Sequence, residues 1–194
     1  MSTSVGQTIT STSESRDGDT LVVEGMALSM DDGTGMTAES TIGTVRFRDT
    51  GTGTVEVTMP ESYPLSMTLP PPEAGDPAGP TTIKATISQP GLLMTAGGNA
   101  TDTSYDFTAP TIGVAVTEVS NAQGPQDVKI NVALSGVSGR YLMAGPADAR
   151  VLDSTFAATS AVISANGTEA TSTFGVTFDM ADLTGTTKGS FLGA

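Results

Sequence analysis

The sequence predicts an all-β protein: an elongated antiparallel meander of amphipathic strands, arranged as a curved sheet, a sandwich or an open barrel, with almost no helix. Three observations carry this. Apolar and polar residues alternate with period two in segment after segment, and alternate residues of a strand point to opposite faces. Turn residues, drawn from 23 Gly and 11 Pro in 194 residues, punctuate those segments at short intervals. Only 145–153 offers a helix, with Pro146 suited to a first turn, and it is two turns at most.

The stretch Gly51–Leu69 holds the pattern in its clearest form. Val55, Val57 and Met59 alternate with Thr54, Glu56 and Thr58; after Pro60 and Pro64 the alternation resumes with Leu65, Met67 and Leu69. A proline removes a ladder donor, so Pro60 implies an edge or a bulge.

Taken in order, Val5–Glu14 reads as a weakly apolar edge strand, and Asp17-Gly18 as a hairpin turn. Thr20–Met30 follows, with Val22, Met26, Leu28 and Met30 on one face and Gly25 marking a bulge. Met36–Asp49 carries Ile42, Val45 and Phe47, with a change of register near Gly43. The Pro-rich run Pro70–Pro80 is a long loop within one sheet system, because strands of the same kind lie on both sides. Beyond it come Thr81–Ser88, Leu92–Ala96, Thr103–Ala109 and Thr111–Val119. The cleanest alternation is Asp127–Val137, with Val128, Ile130, Val132 and Leu134. Ser154–Ser164 and Glu169–Met180 flank Asn166-Gly167, the strongest short hairpin signal. The last of these puts Phe174, Val176, Phe178 and Met180 on one face. A single β domain over 1–194 accommodates all of it.

Composition narrows the function. The net charge of −13 and eight scattered basic residues argue against a nucleic-acid partner. No apolar run approaches the about 18 residues that a membrane-spanning helix needs. Cysteine is absent, so there are neither disulfides nor thiolate sites. The start MSTSVGQTIT has no basic or apolar leader region, so the chain is cytosolic or a piece whose signal lies elsewhere.

Histidine is absent too, which removes Ser-His and Cys-His nucleophile pairs and imidazole metal sites. Carboxylates such as Glu56, Glu61, Asp102 and Asp106 could serve a hydrolase, but they read first as solvated strand faces and turns. Asp17/Asp19 and Asp31/Asp32 could hold calcium, yet Asp-Gly clusters are ordinary turn chemistry and neither has the twelve-residue loop spacing. No enzyme activity, metal or other cofactor is expected. Nine Met give the apolar face an adaptable surface, read either as core or as a site for a hydrophobic partner.

Three stretches, Ser15–Met30, Gly51–Met67 and Gln89–Thr108, together resemble an uncharacterised alphaproteobacterial family of exported β-rich proteins, domain of unknown function 2125. The resemblance implies a fragment of a longer periplasmic or envelope protein, and it transfers no active site. Two readings follow. In the first, a non-enzymatic envelope protein holds a lipid or other hydrophobic ligand along Val55, Val57, Met59, Leu65 and Met67 and along Phe174, Val176, Phe178 and Met180. In the second, the chain is a structural or adhesive β-module with a dry core.

Overall fold

The computed structural model describes residues 6–73, 75–99, 101–146, 149–169 and 172–192. All thirteen strands lie in one antiparallel sheet, and no helix occurs among the described residues. In chain order they are β1 (Gly6–Thr10), β2 (Ser13–Asp17), β3 (Thr20–Asp31), β4 (Thr37–Asp49), β5 (Thr54–Thr58), β6 (Ser62–Leu69) and β7 (Thr81–Ser88). Then come β8 (Leu93–Gly98), β9 (Thr103–Asn121), β10 (Gly124–Gln126), β11 (Val128–Ala144), β12 (Ala149–Glu169) and β13 (Ser172–Leu192).

The registers reduce these thirteen to nine tracks. β1 and β2 both pair with β3, β5 and β6 both with β4, β7 and β8 both with β9, and β10 and β11 both with β9. Each such couple is one long strand with an interruption. Every track pairs antiparallel with the tracks before and after it in sequence, giving an up-and-down meander. Its free edges are the β1/β2 track and β13, which do not pair with each other, so the described sheet is open. At about 3.3 Å per residue, the 21 residues of β12 span roughly 70 Å, and nine tracks at about 4.8 Å span roughly 38 Å.

The interruptions are aligned. Following the registers across the sheet, one row passes through Thr12, Gly25, Gly43, Pro60, Gly91, Pro110, Gly136, Thr159 and Asp182. Five of these nine have positive φ: Gly25 (60°), Gly43 (97°), Gly91 (68°), Gly136 (57°) and Asp182 (52°). The glycines are seated beneath a neighbour on the next track. A Cβ on Gly25 or Gly136 would meet the side chain of Thr12 or Thr159, and one on Gly43 or Gly91 would meet the ring of Pro60 or Pro110. The two threonines repeat one device: Thr12 Oγ1 donates to the Glu24 carbonyl (3.0 Å) and Thr159 Oγ1 to the Ser135 carbonyl (2.9 Å), in each case the residue before the glycine.

This crease flips the side-chain alternation. In β11 the sheltered positions are even up to Leu134 and odd from Val137; in β12 they run even to Ala158 and odd from Ala161. In β3 the inward residue before Gly25 is Val23, not Val22 as simple alternation with Met26 predicts, because the bulge inserts one residue. Seven of the eight buried hydrophobic residues among those described lie in the rows near the crease, Val23, Val45, Val57, Ala109, Val137, Ala158 and Ala161; the eighth, Ala85, lies farther out, between Leu65 and Val116. Phe107 and Ile112, on either side of Pro110, both pack on the Ala109–Val137–Ala158 cluster, so the two half-sheets share one apolar face. The only buried polar residues among those described, Ser40 and Gln89, donate to the carbonyls of Pro64 within β6 (2.8 Å) and of Pro60 between β5 and β6 (3.3 Å).

Two expectations are corrected. Residues 149–153 are not helical; they open β12, paired with β11 on one side and β13 on the other, so the ladder overrides the proline signal. Asn166-Gly167 is not a turn but lies inside β12, opposite Lys129 and Val128, and β12 goes on to pair with β13 as far as Glu169 opposite Ser172. Glycine is needed at 167 because the Asp127 carbonyl and the Phe174 ring occupy the space of a Cβ. The described residues of the Pro-rich run form no strand.

The crease makes a stability prediction. Gly136→Ala places a Cβ 2.6 Å from Thr159 Oγ1 at positive φ and should destabilise by roughly 1–3 kcal/mol. Gly185→Ala, on β13 with open space around it, should change urea-unfolding stability far less. Equal effects of the two substitutions would contradict a strained crease.

Candidate functional site: the apolar face

No large side chain is fully buried among the described residues, and the accessible surface is 12079 Å². A compact globular chain of this mass exposes about 8,500 Å². The difference is the signature of a single sheet whose faces are not stacked against a second protein layer.

Below the crease, the registers line up four apolar rows. Met67 faces Ile83 and then Val119; at the other end of that side of the sheet, Val128 faces Gly167 and Phe174. Leu65 faces Ala85 and Val116, matched by Ile130, Ala165 and Val176. Tyr63, Ile87, Val114, Val132, Ile163 and Phe178 form a row that is unbroken across six strands. Ile112, Leu134, Ala161 and Met180 form the row next to the crease. Burial pushes the Tyr63 phenol pKa up from its ordinary value, as expected where the row begins under cover.

The nine ligand candidates are therefore placed as follows. Leu65 and Met67 on β6 are half-buried; Phe174, Val176, Phe178 and Met180 on β13 are exposed. These two groups share a face but lie five strand spacings apart, roughly 24 Å, joined by the rows just described. Val57 is buried and Val55 half-buried above the crease, in rows that continue through Met94 and Phe107, and through Ala96 and Tyr105. Met59 is half-buried at the crease itself, beside Pro60. The structure thus brings Leu65 and Met67 into one surface with the β13 residues and sets Val55 and Val57 in the other half-sheet. The residues that join the ends, Ile87, Val114, Val132 and Ile163, each look like ordinary strand core. Only cross-strand register reveals them as one row.

The opposite face is chiefly polar, with Leu93, Val151 and Val162 as isolated exposed aliphatics on it. Among the described residues it carries four ion pairs, each between residues directly opposed on adjacent tracks: Arg48–Glu56 (2.7 Å), Lys84–Glu118 (3.0 Å), Arg140–Asp106 (3.7 Å) and Lys188–Asp153 (3.2 Å). Glu56 and Asp106, the strand carboxylates weighed for hydrolysis, are both surface ion-pair partners. Two shallow depressions of about 430 and 710 Å³ lie over this face, lined chiefly by Thr, Ser and Ala; Lys84 and Glu39 line the first, Asp106 and Arg140 the second.

The turn aspartates and asparagines hold backbone. Asp31, Asp49, Asp76, Asn99 and Asn121 each accept from the N–H two residues on, at 2.8–2.9 Å. Asp32 Oδ1 accepts from the N–H of Thr34 (2.8 Å) and of Met36 (3.0 Å), and Thr34 Oγ1 donates to Oδ2. Asp102, weighed with Glu61 as an acid, accepts from Thr101 Oγ1 (3.1 Å) in the β8–β9 turn. Among the described residues no three acidic side chains are placed to hold a metal ion, and no helix is long and apolar enough to cross a membrane.

Compared with protein-family models, curated proteins and solved structures, the chain matches none.

The Thr34 hydroxyl and then the backbone N–H groups hold the Asp32 carboxyl below its ordinary pKa. A depressed folded-state value means that Asp32 contributes stability above the unfolded pKa of about 3.9 and loses it as pH falls through the folded value. Asp32→Ala should therefore destabilise near neutral pH, and the difference from the parent should shrink as the pH is lowered below the ordinary carboxylate range. Paired thermal melts check this; a difference that persists unchanged into acid would contradict it.

Proposed function

We propose that the protein is a non-enzymatic envelope or periplasmic β-protein that holds a hydrophobic, lipid-like ligand along its apolar face. The observation that carries the reading is the run of apolar rows from β6 to β13, ending on Phe174, Val176, Phe178 and Met180 with no layer of protein over it among the described residues. At about 25 cal/mol per Å², leaving 1,000 Å² of such a face wet forgoes roughly 25 kcal/mol, more than a typical domain's net stability. Aliphatic side chains, with methionine at both ends of the surface, match a flexible acyl chain better than a rigid polar ligand. The envelope location rests on the sequence resemblance. A dry-core module is the less favoured reading, since a dry core of this size would hold large side chains fully out of solvent.

Organic extraction of natively purified protein, followed by mass spectrometry, should release a lipid-like molecule. The stripped protein should bind a fluorescent fatty acid saturably. Val132→Thr with Ile163→Thr, in the centre of the face, should weaken that binding at least about tenfold while the far-UV spectrum keeps its strand signature, given about 0.8 kcal/mol for each methylene no longer buried against the ligand. A clean extract together with no saturable titration would overturn the proposal.

A further inference from the structure

The two free edges of the sheet differ. The β1/β2 edge is blunted: it is interrupted at residues 11–12 and carries Glu14, Arg16 and Asp17. Charge and interruption are the usual protections against strand addition. β13 is far less protected in its first half. Residues 172–181 run without a break, contain no proline, and carry one charged side chain, Asp179. Among the described residues they pair only with β12. This stretch also concentrates exposed rings and aliphatics: Phe174 is 46% exposed, Val176 46%, Phe178 60% and Met180 40%. The ladder-competent stretch ends at Asp182, where positive φ kinks the strand.

We propose that this half of β13 pairs antiparallel with the same segment of a second copy, about a two-fold axis through Thr177. The occupant follows from self-complementarity. With Thr177 opposite its own copy, Phe174 meets Met180 and Val176 meets Phe178 across the junction, all on the apolar face. On the polar face Asp179 meets Gly175 and Thr173 meets Ala181, so no carboxylate faces another despite the charge of −13 per chain. A pairing with Asp179 on the axis would oppose like charges and is disfavoured. Ten residues from each copy, with phenylalanines at the junction, bury on the order of 1,000 Å², the lower bound of a specific interface. The pairing extends each apolar row into the second copy and is independent of whether a ligand lies on the face.

The cysteine-free chain makes the test direct. Opposed residues in an antiparallel pair have Cα atoms about 4.5–5.5 Å apart, within disulfide reach. Thr177→Cys should form a disulfide-linked dimer rapidly under mild oxidation, whereas Thr187→Cys, exposed on the other half of β13, should not. The unmodified chain should sediment as a concentration-dependent dimer, and Phe178→Lys should shift it at least about tenfold toward monomer with an unchanged far-UV spectrum. A monomer at every concentration overturns the proposal. So does a dimer indifferent to Phe178→Lys in which the two cysteine variants cross-link equally, or a complex with another polypeptide in place of the dimer.

Discussion

An antiparallel ladder cannot accept an irregularity in one strand alone, and the shape of this protein follows from that constraint. An inserted residue reverses which side chains face the core. Unless the neighbour carries a matching interruption, every apolar row beyond it is lost. Here the interruption is matched on all nine tracks, from Thr12 to Asp182, and the registers of β9, β11, β12 and β13 remain constant across it. The crease lets one face stay apolar along strands too long to stay flat, and most of the few buried residues lie near where the half-sheets meet.

The division of labour between the faces then has a simple electrostatic reading. Cross-strand ion pairs and hydroxyls occupy the polar face, where exposed pairs contribute little stability but keep like charges apart. The acidic residues left over sit largely in turns, closing them with side-chain-to-backbone hydrogen bonds. Most of the charge thus stands off the apolar face; the exceptions are Glu14 and Arg16 at the edge, opposite Val23 and Leu21, and Arg150, whose guanidinium lies against the Met143 sulfur.

Strand content, turn positions and the polar alternation are legible in the sequence because they are local. Asp17-Gly18 and the alternation of Val128 to Leu134 both stand in the structure as read. The signals at 145–153 and at Asn166-Gly167 mislead for one reason: propensity describes a peptide, and both segments are held by ladders on two sides. Gly25 and Gly43 announce bulges one at a time. That Pro60, Pro110 and Thr159 belong to the same line emerges only when register places them side by side. The candidate site is legible by residue type and not by place, since Val55 and Phe174 are equally apolar but belong to different half-sheets.

An open, creased sheet with one uncovered apolar face is the claim on which the rest depends, and its dimensions test it. Small-angle X-ray scattering of the monomeric form, with Phe178→Lys used to hold it monomeric, measures the radius of gyration. A compact domain of 194 residues has a value of about 16 Å. A sheet roughly 70 Å by 38 Å in one layer should give about 20 Å or more. A value near 16 Å would mean that the sheet closes over its own apolar face, and would contradict the account.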